Sequence, residues 1–583
     1  MSRHQEHTQK KTTEATAPAE TRSGEAYYHA LARTYVAEPY DPDSLRPLRR
    51  RIRRDLRTLR RNYEEALTSH RRAAPGSLQE WLADNYHLLS REGEGVLEDL
   101  KYAGPQPCDD GCPALYRLCL RLAREKGVPQ EAEWDTLLET AQQHRPLTVP
   151  ELDQLSLCLR AALISLAAEA CSQKGEEAVR SLSRAVKGLR TAADTDFARL
   201  AERHSIVERI LAEDPSGIYP RMDESSRADY RRRVGELAMD TEKSEASVAA
   251  DLVERAAEAA ASAPTAGDIT GPSSPRRCHV GAYLPDNRPQ RHRRGRILLL
   301  LEFLLPAAAA ISLAVAAGQV WTLPLFYLPL FEILRPILEH FGLKGVPPLR
   351  LHRLELEGVI PEEGRTVIAV SSLLPPADKA RETAERLAKL YNTNGQGAVQ
   401  VCLLADLRGA EFPTLPGDAA DISALQREIR RLNHRLSAAG KPPALVLAVR
   451  GREYSETMGQ YTGRERKRGA IAELVRVIRG GENRFLAFEG DLEALRRCRY
   501  LLALDADTGL LMDTAARLVG TALHPLNRPV WDEEHHRVAA GYGVLVPRME
   551  PELKSAGRTP FSSAMAGAGG ITPYDVPAGE LYM

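Results

Sequence analysis

From Leu45 onward, apolar residues recur at three- and four-residue steps: Leu48, Ile52, Leu56, Leu59 and Tyr63. That stripe predicts a helix with one buried face. The opposite face carries Arg49, Arg50, Arg53, Arg54, Arg57, Arg60 and Arg61. Such a face suits anionic lipid or nucleic acid, or a solvated surface paired with acidic neighbours. Helical spacing then dominates to about Ala263. Thr148-Val149-Pro150-Glu151 is a capping-box signature, predicting the start of the helix that carries Leu155, Leu159 and Leu163. Pro, Gly and Ser thicken from Pro264 to Pro275, which reads as a linker.

The pattern then turns wholly apolar. Ile297 to Val320 holds a single formal charge, Glu302, and is long enough to cross ~30 Å of hydrocarbon. A second apolar stretch, Trp321 to Phe341, is broken by Pro324, Pro329 and Pro336 and contains Glu332 and Arg335, so it is a weaker span, kinked or interfacial. Arg288, Arg291, Arg293, Arg294 and Arg296 precede the pair, and Lys344, Arg350 and Arg353 follow it. The connection near Gly318 to Thr322 has no basic residue. This asymmetry predicts a membrane hairpin with both soluble parts in the cytoplasm; two buried soluble helices are the alternative.

Beyond Pro347, short apolar runs alternate with amphipathic stretches, the signature of a βαβ sheet. Strands are expected at Thr366 to Val370, Gln400 to Leu404, Ala444 to Val449, Tyr500 to Leu504 and Gly541 to Val546. Helices are expected at Ala377 to Tyr391, Gln426 to Ala438, Ile471 to Ile478 and Asp513 to Leu523. No glycine-rich phosphate loop follows any of these strands, so metal and side-chain cations must handle phosphates here.

Composition narrows this only locally. A chain of 583 residues holds several domains. Formal net charge is zero with 27% charged residues, so global charge singles out no partner and no nucleic acid is expected. Eight cysteines form no disulfide framework; Cys108 and Cys112 lack a second pair for zinc, and reduced thiols are expected. The first 25 residues are polar, a disordered tail rather than a signal peptide. The expected organisation is therefore a tail over 1–25, a helical cytoplasmic region over 26–263, a basic linker over 264–296, a hairpin over 297–342 and a nucleotide-binding-type domain over 343–583.

Candidate chemistry gathers in that last part. Tyr500 to Leu504 has the pattern of a strand buried on both faces, and it ends in Asp505 and Asp507. On extended backbone, residues two apart face the same way, placing both carboxylates at the strand's carboxyl end, where ligands of open α/β sheets bind. Two hard oxygen donors suit Mg²⁺ or Mn²⁺ together with a diphosphate, although an Asp-rich turn has the same appearance. Asp406 ends the second strand, where a carboxylate can accept hydrogen bonds from a base or ribose. Arg464-Glu465-Arg466-Lys467-Arg468-Gly469 opens a helix after the third strand and brings cations and a helix amino end toward a bound anion. His524, His535 and His536 are either phosphate or metal contacts or ordinary loop histidines.

The stretches Gly463 to Gly469 (GRERKRG), Leu504 to Thr508 (LDADT), His524 to Pro529 (HPLNRP) and Gly541 to Arg548 (GYGVLVPR) resemble the glycosyltransferase domain of bacterial cyclic β-1,2-glucan synthases. Upstream, Glu80 to Tyr86, Pro146 to Leu152, Ser205 to Tyr230 and His279 to Leu284 resemble that family's helical amino-terminal region. The resemblance implies a fold of α plus α/β class: a helical region, a transmembrane hairpin and an incomplete A-type, Rossmann-like glycosyltransferase core. It implies an inverting transfer of glucose from UDP-glucose to a β-1,2-glucan acceptor, with Mg²⁺ or Mn²⁺ and a lipid bilayer as partners. By the same likeness Asp505 and Asp507 are metal and diphosphate ligands, Asp406 a uridine contact, and Arg466 and Lys467, with Arg468 beside them, diphosphate contacts. Arg464 departs from the family, which has an aromatic there. The general base of the family lies downstream of the position matching Met583, and Asp575 is not expected to replace it. A related transferase making another polysaccharide, or an inactive membrane-attached scaffold, are the alternative readings; no oligomeric state follows.

Overall fold

The structure, a computed structural model, describes residues 19–35, 38–40, 43, 45–69, 76–109, 111–261, 274–285, 288–343, 350–547, 557–560 and 562. Most of the expected tail, linker residues 264–273 and 286–287, Arg548 and Asp575 lie outside them. A helix over Ala19–Arg33 begins inside the expected tail. The chain divides into two compact units, one drawn from Met1–Asp214, Arg227–Arg255 and Tyr283–Pro285, the other from Pro215–Ser226, Ala256–Ala282 and Asp286–Met583.

The first unit is helical. Helix α1 (Leu45–Ser69) buries Leu48, Ile52, Leu59 and Ala66, the stripe expected from their spacing. Helix α2 (Leu78–Asp99) is capped by Ser77, whose side chain accepts from the Glu80 N–H. The capping box at Thr148 is present, but it opens a separate short helix, α3 (Val149–Asp153). The chain breaks at Gln154, and α4 (Leu155–Ala170) starts afresh. Helix α4 has an apolar surface all round and is buried along nearly its whole length, as a helix surrounded by others must be. Three of the polar groups this core encloses are linked in a chain: Tyr116 donates to Ser165 Oγ at 2.9 Å, and Ser165 donates to Asp55 at 2.6 Å. Burial holds the thiols of Cys158 here, and of Cys402 in the second unit, up at about 12, so neither is a thiolate near neutrality.

In the second unit, α6 (Arg288–Ala316) and α7 (Leu323–Leu343) pack against each other as a helical pair, and a further helix of the first unit, α5 (Glu176–Asp194), precedes them in the chain. Within α6, Arg296–Ala316 is long and apolar enough to cross a membrane; among the described residues α7 is not. Leu300, Leu304 and Val315 of α6 are 60%, 62% and 73% exposed, which is the surface of a helix facing lipid or a partner and not of a buried soluble pair.

A five-stranded sheet follows, in the order β5-β1-β2-β3-β4. Its strands are β1 (Thr366–Leu373), β2 (Val399–Asp406), β3 (Leu445–Arg450), β4 (Ala487–Glu489) and β5 (Tyr500–Asp505). Four run parallel, and β4 pairs antiparallel with β3. Helices α8 (Ala380–Asn394), α9 (Asp418–Ala438) and α10 (Arg466–Ile478) lie between them in the chain, and α11 (Thr514–Leu523) follows β5. Strands β2 and β3 are almost wholly buried, as continuous apolar runs in a parallel sheet should be. Two expectations fail. Strand β5 is the outer strand among the described residues; only Leu504 is buried, Tyr500 to Leu502 are half-buried and Ala503 and Asp505 are exposed, because only β1 flanks it. Gly541 to Val546 is irregular; the strands there are β6 (Val530–Asp532) and β7 (Arg537–Ala540), a separate hairpin.

One carboxylate gives the first unit a pH signature. Glu245 accepts from the Val149 N–H at 2.8 Å, at the start of α3. Burial pushes its carboxyl up to about 7, the Val149 N–H opposes that, and Glu151 and Asp153 add to it. A folded pKa above the unfolded one means the stabilisation is complete below about pH 4.5 and disappears as pH rises through about 7. Glu245→Gln, which mimics the protonated form, should therefore be more stable than the parent at pH 8 by up to about 3 kcal/mol and level with it at pH 4.5. Paired denaturant midpoints across that range measure the difference; parallel curves refute the assignment.

Candidate functional site

The parallel strands bring their carboxyl ends to one edge of the sheet. In register across it stand Asp505 opposite Ser371, Leu373 opposite Asp406, and Asp406 opposite Arg450. The central feature is the pair at the ends of β2 and β3. Arg450 Nε and Nη2 each lie 2.7 Å from an oxygen of Asp406, a two-point ion pair with side chains only 11% and 13% exposed.

Arg450 does more than neutralise Asp406. Its Nη1 donates to the Arg464 carbonyl at 2.9 Å, and its Nη2 to the Arg466 carbonyl at 2.8 Å. The basic turn before α10 is thus wrapped around one guanidinium. Two glycines make the wrapping possible. A Cβ on Gly463 would sit 2.8 Å from Asp406 Oδ2, and one on Gly469 would sit 2.1 Å from the Arg464 carbonyl oxygen. Neither position has room for a side chain. The turn also holds two non-glycine residues in the left-handed region, Glu465 at φ 52° and Arg466 at φ 45°. Such residues persist where surrounding contacts over-determine them, often at ligand sites.

The result is a display of cations. Arg464, Arg466, Lys467 and Arg468 are all exposed at the amino end of α10. Lys467 reaches across the edge and donates to Asp505 Oδ1 at 2.6 Å, joining residues 38 apart in the chain. Arg468 pairs at 3.5 Å with Glu465. Asp505 and Asp507 are both exposed, and Asp507 has no ion pair among the described residues. The strand rule does not orient them together, however. Strand β5 ends at Asp505, and Ala506 and Asp507 form a turn closed by the Thr508 N–H on the Asp505 carbonyl at 3.1 Å. Among the described residues no group of three His, Cys, Asp or Glu is placed to hold a metal alone.

Several residues emerge only with the fold. Arg450 had no motif; its signal was a lone arginine closing an apolar strand. Arg452 is buried and donates to Asp418, to the Arg408 carbonyl and to the Pro413 carbonyl, fixing the loop after β2. Arg452 holds the Asp418 carboxyl below its usual range. Ser371 Oγ, shielded at the edge between Asp505 and Leu404 in register, has no partner among the described residues and can accept or donate to a ligand. His524 is fully buried, its ring 5.2 Å from that of His279 and 5.9 Å from that of His352, so it is a packing residue. His535 lies in the β6–β7 turn, paired with Asp532 at 2.9 Å. The described cavity of about 180 Å³, lined by Arg353, Glu355, Glu357, Asp513 and Arg517, lies elsewhere, where Asp513 N–H bonds Thr393 near the end of α8.

The chain is 28% identical over 432 residues, 69% of its length, to the cyclic beta-(1,2)-glucan synthase NdvB of Rhizobium meliloti (strain 1021). It spans 15% of that protein. The resemblance read from the motifs is thereby supported over most of the chain. No family model matches it.

Removing the guanidinium should expose the turn. Arg450→Met leaves the Asp406 carboxylate buried and unpaired, costing about 3–5 kcal/mol. Arg450→Met with Asp406→Leu should recover more than half of that, since no unpaired charge remains. Trypsin should also cut after Arg464 to Arg468 faster in the single variant than in the parent. Urea melts and timed digests read both effects, and an unchanged digest removes Arg450 from its role as a clamp.

Proposed function

We propose that the second unit is the donor-binding part of a membrane-attached glucan synthase of glycosyltransferase type. It takes UDP-glucose at the carboxyl edge of its sheet, for inverting transfer to a β-1,2-glucan on the cytoplasmic side of a bacterial inner membrane. The observation that carries this reading is the meeting of Lys467 with Asp505: a cation-bearing helix start converges on a strand-end carboxylate. A nucleotide diphosphate needs both, cations for its oxygens and carboxylates for its metal. The named activity of the relative supplies the sugar and linkage.

The donor set fits a hard cation. Asp505 and Asp507 offer exposed oxygen ligands, and Mg²⁺ or Mn²⁺ ordinarily completes its shell with water and diphosphate oxygens. When bound, the ion offsets the negative charge that builds on the leaving diphosphate. Arg466, Lys467 and Arg468 then face the same diphosphate, with the α10 amide dipoles behind them. Asp406 accepts from Arg450 through both oxygens, and its remaining lone pairs are open to a uridine N–H or ribose hydroxyl.

Calorimetry of the full chain with UDP and Mn²⁺ tests this. Asp505→Ala, Asp507→Ala and Arg466→Ala should each weaken UDP binding about tenfold or more, and chelation should do the same to the parent. Equal binding by parent and Asp505→Ala sinks the metal assignment.

A further inference from the structure

Helix α1 turns one face away from its core. At 3.6 residues per turn, Arg46, Arg50, Arg53, Arg54, Arg57 and Arg61 all lie within about 60° of the direction opposite Leu48, Ile52, Leu59 and Ala66, with Arg60 at the margin of that face. The row runs along about 22 Å of helix. Arg49, grouped with it from the sequence, departs: it is half-buried and donates to the Leu100 carbonyl. The ends of the row are paired, Arg46 with Asp43 at 3.1 Å, Arg60 with Glu64 at 2.9 Å and Arg61 with Glu65 at 4.0 Å. Exposed Arg50, Arg53 and Arg57 have no carboxylate within 4.0 Å among the described residues. Every cation of this helix is arginine, with no lysine between Leu45 and Ser69. Guanidinium grips phosphate oxygens in pairs, where ammonium acts as a point charge.

We propose that this arginine row rests on the phosphate headgroups of an anionic bilayer. The chain carries its own reason for proximity, since Arg296–Ala316 has the length and apolarity of a membrane span. The cations Arg288 to Arg296 lead into it, and α1 lies on the same amino-terminal side of that span. A basic flank and a basic helix face preceding one span suit the anionic cytoplasmic leaflet. Nucleic acid fits less well. Single-strand binders interleave aromatic platforms with their cations, and the one aromatic of this helix, Tyr63, is half-buried and stacked on Tyr86 at 4.0 Å.

The full chain is reconstituted in nanodiscs of phosphatidylcholine, with or without about one-third phosphatidylglycerol. Arginines are then modified with phenylglyoxal and rates are read at each site by peptide mass spectrometry. Arg50, Arg53 and Arg57 should react about threefold or more slowly in the anionic discs, and molar salt should restore their rates. Exposed Arg180 and Arg209 of the same unit serve as internal references and should keep their rates. Equal rates for the row in both lipids overturn the proposal. So does protection that anionic lipid leaves unchanged and added RNA produces.

Discussion

The second unit turns on one guanidinium. At Arg450 the end of β2, the end of β3 and the turn before α10 meet through one set of hydrogen bonds. A charge pair this buried is weak evidence for stability by itself, because desolvation offsets most of the attraction. Its worth lies in direction. The fork of five donors satisfies a carboxylate on one side and two carbonyls on the other, which no lysine could do. Gly463 and Gly469 follow as consequences, since a side chain at either would occupy the space the fork and the turn need.

The first unit solves the opposite problem. Its core is apolar helix packed on apolar helix, and several of its buried polar groups are gathered into closed sets. Glu151 alone accepts from Thr148 N–H and hydroxyl, from Tyr35 and from Arg145. That saturation leaves little for the second carboxylate at the same helix start, Glu245, which has one backbone N–H and a low-dielectric surrounding. With one backbone N–H to set against its burial, Glu245 is pushed up to about 7.

Periodicity carried most of the architecture. The stripe of α1, the apolar run of α6 and the strands β1, β2 and β3 lie where spacing placed them, because burial of a face or a whole segment leaves a direct mark on residue order. The misreadings have physical sources. Gln154 interrupts a pattern apolar on both sides, and helix continuity is not encoded by hydrophobicity alone. Tyr500 to Leu504 has the composition of an interior strand, yet its degree of cover depends on which strands flank it, a non-local fact. The rule of alternate residues facing one way held only to the end of β5; the turn at Ala506 and Asp507 lay beyond it. Candidate cations were legible as a cluster, whereas Arg450 and Arg452 were single arginines after apolar strands, and their partners lie 34 to 44 residues away.

The two ion pairs at the sheet edge differ in a way that bears on binding. Asp406 and Arg450 are 13% and 11% exposed, and breaking them strands a buried charge. Asp505 and Lys467 are 60% and 44% exposed, and a pair so placed contributes on the order of 0–1 kcal/mol. The first therefore behaves as frame and the second as counterions held in reserve. On the proposed donor reading, an arriving diphosphate would take Lys467 and a divalent cation Asp505, and separating the pair would sacrifice little of the binding free energy. The clamp around Arg450 keeps the backbone of the turn in place during that exchange. Rigid placement of the turn with cheaply exchanged charges on it is the arrangement an anionic ligand requires if it is to bind without first unfolding its site.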